Sequence, residues 1–178
     1  MATYNAIKYN VDFGGSSGHL IPIASSTFSN SSGVTFTTLQ QTIFDEHLVV
    51  VSDFHNDTDN RQCTISFSSD GTNYNRPVTS AFVNAVKRED NGINGSGFNY
   101  QDDFSHGDGT GGQEVLVDNA SDSDNAGFGI IRLYNLGSST FVKHYLSEFS
   151  GMSSGGSDGD AASHHLASGY INDTSAVT

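Results

Sequence analysis

Cysteine, basic residues and long apolar runs are all scarce in this chain of 178 residues. Its single cysteine, Cys63, has no partner for an intrachain disulfide. Seven lysines and arginines stand against 20 acidic residues, which gives a net charge of −13. Because such an acidic surface repels phosphate, nucleic-acid binding and binding to anionic membranes are both disfavoured. No run approaches the ~18 apolar residues of a membrane span, and residues 1–10 lack the apolar region of a signal peptide.

Charged residues are few, and small polar residues take their place. They make up 15% of the chain, against about 25% in an ordinary globular protein. The polar surface must therefore come from serine, threonine, asparagine and the 20 glycines. These residues compete with helix hydrogen bonds or cost backbone entropy, so the composition favours sheets joined by many turns.

Apolar alternation predicts a series of short strands. The clearest is residues 62–69, where Cys63, Ile65 and Phe67 share one face. Residues 47–54 are almost continuously apolar, as in a central strand covered on both faces. Further strands are expected at 33–39, 127–136, 140–149 and 164–171, with 78–87 either strand or helix, and residues 137–139 as a tight hairpin link.

Short strands separated by clusters of glycine, asparagine, aspartate and serine predict an all-β fold. We expect an antiparallel, jelly-roll-like β-sandwich. The side chains predicted to form its core are Val49, Ile65, Phe67, Ile131, Leu133 and Leu146.

The segment FSSDGTNY, residues 67–74, fits either a calcium loop or the tip of a hairpin, and similar segments occur at 105–112, 122–127 and 155–160. The best candidate for an EF-hand loop begins at Asp122, but Ala126 stands fifth and Leu133 twelfth, where ligands are needed. Asp70 stands alone among serines and threonines. Asp-Gly between strands is the ordinary hairpin signal, so we expect a hairpin at Asp70 and no metal site.

No catalytic pattern emerges from the sequence. His164 and His165 are adjacent, so in a strand their rings point to opposite faces and cannot share a metal ion. The glutamates are not paired by any motif, and no Gly-x-Ser-x-Gly spacing stands between a predicted strand and a predicted helix, as a nucleophile elbow requires. There is also no Gly-x-x-x-x-Gly-Lys phosphate-binding loop. We therefore predict no catalytic residue, no cofactor and no enzyme activity.

Several segments carry a family resemblance: Thr58-Asp59, the run from Ser69 to Tyr74, Leu133 to Asn135, Ser138 to His144, and Gly169 to Ala176. In this order they resemble a family of uncharacterised phage virion proteins, over about residues 24–178. The resemblance implies a non-enzymatic component of a tail-fibre-like appendage or a capsid decoration. It implies synthesis in the host cytoplasm, localisation in the virion, and other virion proteins and further copies of itself as partners. Members of that family usually continue with two more strands, which we expect either outside this chain or replaced by another subunit.

A different class of function remains open beside it. Exposed tyrosines and asparagines also fit a carbohydrate-binding module that recognises a host surface glycan.

Residues 1–18 differ from the rest of the chain. The segment MATYNAIKYNVDF is followed by GGSSG, a flexible linker composition, so we expect an arm at 1–18 and a β-sandwich domain at 19–178. A short arm cannot bury its apolar side chains on itself, and a disordered terminus is the alternative to docking. Alternation along the arm favours strand addition to another sheet. The predicted partner-binding residues are Tyr4, Ile7, Tyr9, Val11 and Phe13.

Overall fold

The computed structural model describes residues 20–29, 31–88, 98–153 and 161–178. The chain divides into two compact units, residues 1–34 and residues 35–178. The described part of the first unit contains neither helix nor strand. The boundary expected after residue 18 stays a prediction, because residues 1–19 lie outside the described ranges.

The second unit is built from nine antiparallel strands and one short 3₁₀ turn, with no α-helix among the described residues. The strands are β1 (Glu46–Phe54), β2 (Arg61–Ile65), β3 (Val78–Arg88), β4 (Asn99–Tyr100), β5 (Gly107–Gly109), β6 (Gln113–Asn119), β7 (Gly127–Tyr134), β8 (Lys143–Ser153) and β9 (Ala161–Ile171). The predicted antiparallel all-β fold class is thereby confirmed, while the jelly-roll order of its strands stays a prediction.

One broad sheet has the strand order β1-β7-β8-β9-β3-β4, and β5 also pairs with β3. Strands β2 and β6 pair with each other and join β8 through a single pair, Asn119 with Ser153. Side chains of β6 reach the broad sheet, since the Tyr145 hydroxyl donates to Gln113 Oε1 at 2.9 Å. We call the side of the broad sheet that carries Tyr145 and Phe149 the inner face.

Strand β8 shows the two faces of the broad sheet most clearly. Lys143, Tyr145, Ser147 and Phe149 are buried, and the residues between them are exposed. The main core lies between the inner face and the β2–β6 pair. Its buried members are Phe67, Val78, Val115, Leu116, Ile131, Leu133, Leu136, Tyr145, Phe149, Ile171 and Val177.

Most of the predicted core is confirmed, with one error. Phe67, Ile131 and Leu133 are at most 5% exposed, and Val49 and Ile65 are partly buried against the same core. Leu146, however, is 45% exposed and lies on the opposite side of the sheet. Successive side chains of a strand point to opposite faces, so the inward position of Tyr145 forces Leu146 outward.

The prediction that residues 47–54 form a central strand is wrong. Among the described strands, β1 is an edge of the broad sheet and pairs only with β7. Val50 is 67% exposed. A bulge between Val51 and Phe54, where Asp53 has φ 55°, interrupts the pairing near its end. Its continuous apolar run therefore means that both faces of an edge strand are apolar, not that both are covered.

One predicted strand is absent, and one strand of the structure was not predicted. Residues 33–39 contain no strand, although Val34 and Phe36 alternate with threonines. Strand β6 was not predicted, although Val115, Leu116 and Val117 are each at most 1% exposed. Its three apolar residues are too short a run to distinguish a buried strand from a loop by pattern alone.

The FSSDGTNY segment is not a hairpin, because β2 and β3 on either side of it pair with other strands. Instead it forms a loop that closes on itself, with Arg76 N donating to Phe67 O at 3.1 Å. Strands β7 and β8 do pair as a hairpin, as expected, but the predicted tight link at 137–139 is wrong because the strands end earlier and begin later than expected. Their connection runs over residues 135–142, and Ser138 Oγ caps it by accepting from the backbone N–H groups of Thr140 and Phe141.

Candidate interaction surface

The side of the broad sheet opposite the core, here called the outer face, is the most prominent feature of the surface. Strand register aligns its side chains in rows that cross β1, β7, β8, β9 and β3. The central row is Val50, Ile130, Glu148, Leu166 and Val83, with Tyr100 of β4 beside Val83.

The rows on either side repeat the apolar character. One consists of Leu48, Arg132, Leu146, Ser168 and Ala81. The row on the other side of the centre contains Phe128, Ser150, His164 and Ala85. The Phe98 ring lies against His164, with ring centroids 5.7 Å apart.

Large apolar side chains stand in solvent across this face. Val50 is 67% exposed, Phe128 and Tyr100 are 59% exposed, Phe98 is 54% exposed and Leu146 is 45% exposed. Single exposed apolar residues are common, but contiguous patches beyond a few hundred Å² mark interaction sites. The outer face is therefore a candidate surface for binding another molecule.

Its charges are few and balanced. Arg132 Nη1 lies 2.7 Å from Glu46 Oε1 and His164 Nε2 lies 3.5 Å from Glu148 Oε1. Lys87 occupies the outer position opposite Ala162. The residues paired across the rows thus include two acidic and two basic side chains, although the whole chain carries −13.

A shallow depression of about 390 Å³ lies at one end of the outer face. His144 and Tyr170 border it, with ring centroids 6.0 Å apart. Thr79 and Ser168 supply hydroxyl groups to its lining. Aromatic edges beside hydroxyls can both stack on a sugar ring and exchange hydrogen bonds with it.

The Asp70 carboxylate is fully used within its own loop. It accepts from the backbone N–H groups of Thr72 and Asn73, and from the side chains of Ser68, Thr72 and Asn73. These bonds, led by those from Asn73, hold the pKa of Asp70 far below its ordinary value. Within the described ranges, no three histidine, cysteine, aspartate or glutamate side chains are grouped closely enough to bind a metal ion.

Two histidines illustrate the two sides of β9. His165 is 1% exposed under the Phe82 ring, and His164 lies on the outer face. The opposite orientation predicted for this pair is therefore confirmed. Burial, and next the neighbouring His164, lower the pKa of His165 to about 4, so its ring is neutral in the folded protein near pH 7.

His106 and Glu114 form a polar pair near the buried Tyr145. His106 Nε2 is 2.7 Å from Glu114 Oε2. Burial is the main cause that raises the pKa of the nearby Tyr145 hydroxyl to about 12.

Burial likewise raises the pKa of the Cys63 thiol to about 11, so Cys63 is protonated near neutral pH and packs as a small apolar residue, as its strand position predicts.

The residues predicted to bind a partner, Tyr4, Ile7, Tyr9, Val11 and Phe13, lie outside the described residues. The outer face was not predicted. Its signal was present in β7, where Phe128 and Ile130 occupy one phase while Ile131 and Leu133 occupy the other. Apolar residues in both phases of an antiparallel strand indicate that both faces are apolar.

No described helix is long and apolar enough to cross a membrane. No family model, no curated protein and no solved structure matches the chain.

Proposed function

We propose that this protein is a non-enzymatic structural component of a phage particle, in a tail-fibre-like appendage or a capsid decoration. The N-terminal arm, residues 1–13, attaches it to an adjacent virion protein, and the β domain is presented outward. The setting is supported by the resemblance to phage virion proteins over about residues 24–178. In this proposal the protein is made in the host cytoplasm and is incorporated into the virion in several copies.

The observation that carries the attachment is the apolar character of residues 20–34. They contain neither helix nor strand where they are described. Leu20 is 77% exposed, Phe28 is 47% exposed, and Ile21 and Val34 are both 41% exposed. Large exposed apolar side chains gain stability when a neighbouring protein covers them, at about 25 cal/mol for each Å² removed from water.

The arm continues this character towards the N-terminus. Tyr9, Val11 and Phe13 alternate with polar residues, which is the pattern of a strand with one apolar side. A strand of this kind can add to the edge of another protein's sheet, where backbone hydrogen bonds provide affinity and alternate side chains provide specificity.

Deletion of residues 1–13 from the phage gene tests the attachment. We expect the truncated protein to keep the circular dichroism spectrum of the full chain and to be lost from purified particles, as quantified by mass spectrometry. Normal copy number in the particles would show that the arm is not the attachment.

Two matched variants test whether the apolar side chains of the arm, rather than its length, are needed for attachment. Replacing Tyr9, Val11 and Phe13 together by serine should reduce incorporation as the deletion does. Replacing the polar residues Thr3, Asn5 and Asn10 by serine should leave it at the level of the parent phage.

The depression beside His144 and Tyr170 favours a second candidate function, the binding of a host surface glycan. A glycan array probed with the full chain tests it. Binding to a defined set of glycans that Tyr170→Ala abolishes would support this function, with the distant exposed Tyr100→Ala as control. If no glycan binds above background, the glycan-binding function is wrong and only the structural role remains proposed.

A further inference from the structure

We propose that the outer face binds the outer face of a second copy of this chain, so that two broad sheets pack face to face in a dimer. The inference concerns residues 35–178 and is independent of the attachment proposed for the arm. Because Ala81 and Ser168 line the depression beside Tyr170, the dimer and glycan binding are alternative uses of that end of the outer face. Three properties of the outer face support it: its size, its charge and its shape.

The size of the face suits a stable dimer. The outward positions of the five paired strands fall in five rows, of which the last two are incomplete. With strands about 4.8 Å apart and rows about 6.8 Å apart, these positions cover a sheet area of roughly 700 Å². Stable protein interfaces bury about 800 Å² on each partner. A surface of this area is large for a small ligand and sufficient for a second protein.

The low net charge of the outer face allows a second copy of the same acidic chain to bind there. Two molecules that each carry −13 repel each other across most of their surfaces. The outer face is nearly neutral by contrast, because Arg132 and Lys87 balance the two acidic residues in its rows, and Arg88 and Asp124 lie together at its border beside Phe128. Two copies can therefore meet there without bringing acidic surfaces together.

Both acidic side chains in the rows have a neighbouring side chain within the chain. Glu46 forms an ion pair with Arg132 at 2.7 Å, and Glu148 Oε1 lies 3.5 Å from the His164 ring, so only Glu46 has a permanently charged partner. Such pairing lowers the cost of bringing a second apolar surface over them, since an unpaired buried charge is strongly destabilising.

The shape of the face also fits. Sheets in β-sandwiches pack face to face at a separation of about 10 Å, with side chains from both sides interdigitating. The outer face offers small residues, Ala81 and Ser168, beside the projecting side chain of Leu146. A two-fold axis parallel to the two sheets and midway between them pairs the same patch on both copies, which is the usual arrangement of homodimers.

The test uses sedimentation velocity on the full chain across a range of protein concentrations. We expect a species of twice 18.9 kDa. Leu146→Lys introduces a charge into the face at a position that is already 45% exposed, so it should give a folded monomer. Val50→Lys, at the edge strand, provides a second variant of the same kind in case the first does not fold.

A matched control carries the same change of charge elsewhere. Ile43 is 69% exposed in the turn that precedes β1, and Ile43→Lys should leave the dimer intact. Deletion of residues 1–13 should also leave it intact, which separates this proposal from the attachment through the arm. A monomeric parent chain at about 100 µM, well above the micromolar Kd of a weak specific complex, would overturn the proposal. So would a dimer that persists in both folded face variants, or an oligomer larger than a dimer.

Discussion

Phe67 closes one side of the core, where its ring lies 5.9 Å from the ring of Tyr145. It is 4% exposed, so its removal would leave a cavity that the surrounding strands cannot fill. We expect Phe67→Ala to lower the free energy of unfolding by about 3–5 kcal/mol, measured by urea denaturation.

Leu146→Ala is the control, because Leu146 is equally apolar but 45% exposed. At protein concentrations where the chain is monomeric, it should cost below about 1 kcal/mol. Equal losses for both variants would contradict the assignment of the inner and outer faces.

The burial of His165 makes the free energy of unfolding depend on pH. Its folded pKa of about 4 lies below the ordinary value of 6.5, so between these values the unfolded chain takes up a proton that the folded chain does not. The free energy of unfolding must therefore fall as the pH falls from 6.5 to 4. The loss from this one group is up to about 3 kcal/mol, and there is no contribution from it above pH 6.5.

His165→Gln keeps a polar side chain at this position but cannot titrate. We expect the difference in unfolding free energy between parent and variant to change across pH 4–6.5 and to be constant above it. His144→Gln, at an exposed histidine, is the control. Parallel pH profiles for the parent and His165→Gln would show that His165 is not held neutral by the fold.

At the level of elements, β7 and β8 pack closely because a glycine of β7 lies opposite a phenylalanine ring of β8. Gly129 pairs with Phe149, and a Cβ added at Gly129 would lie 2.4 Å from Phe149 Cγ. We expect Gly129→Ala to destabilise the protein by roughly 1–3 kcal/mol through overpacking, measured by chemical denaturation.

A double substitution tests whether the ring is the cause. Adding Phe149→Leu to Gly129→Ala should cost less than the sum of the two single changes, since the contact with the ring is then absent and only the Glu148 backbone oxygen, 2.6 Å from the added Cβ, remains. Gly111→Ala, where an added Cβ meets no atom within 4 Å, should be close to neutral. Strict additivity would place the cost of Gly129→Ala elsewhere.

The elements also show why some strands were predicted and others were not. Strands β7, β8 and β9 are long, and their apolar residues make them recognisable from pattern. Strand β6 is buried because β2 and the broad sheet surround it, which a run of three apolar residues does not reveal. Residues 33–39 have the alternation of a strand but no strand partner in the structure, and pairing is what makes a strand.

For the whole molecule, net charge and the outer face act in opposite directions on self-association. The charge of −13 keeps copies apart at long range, and the neutral apolar face favours contact at short range. Raising the salt concentration from 0.01 M to 1 M shortens the screening length from about 30 Å to about 3 Å. We expect the dimer to tighten by roughly tenfold or more over this range, as measured by sedimentation equilibrium.

Leu146→Lys should be monomeric at both salt concentrations. A parent dimer that weakens as salt rises would indicate that ion pairs rather than apolar contacts hold it, contrary to the proposed interface.

The sequence alone determined the fold class of this protein. Its small polar residues disfavour long helices, and its short alternating runs separated by turn residues lead to antiparallel strands. It also predicted Phe67, Ile131 and Leu133 as core residues, and all three are at most 5% exposed.

Only the tertiary structure decided which strand is central and which faces are covered. The apolar run of β1 is compatible with a buried strand or an exposed edge, and its neighbours settle that question. The outer position of Leu146 likewise follows from the side on which β2 and β6 pack. Side-chain alternation defines two faces for every strand, but long-range packing selects the one that forms the core.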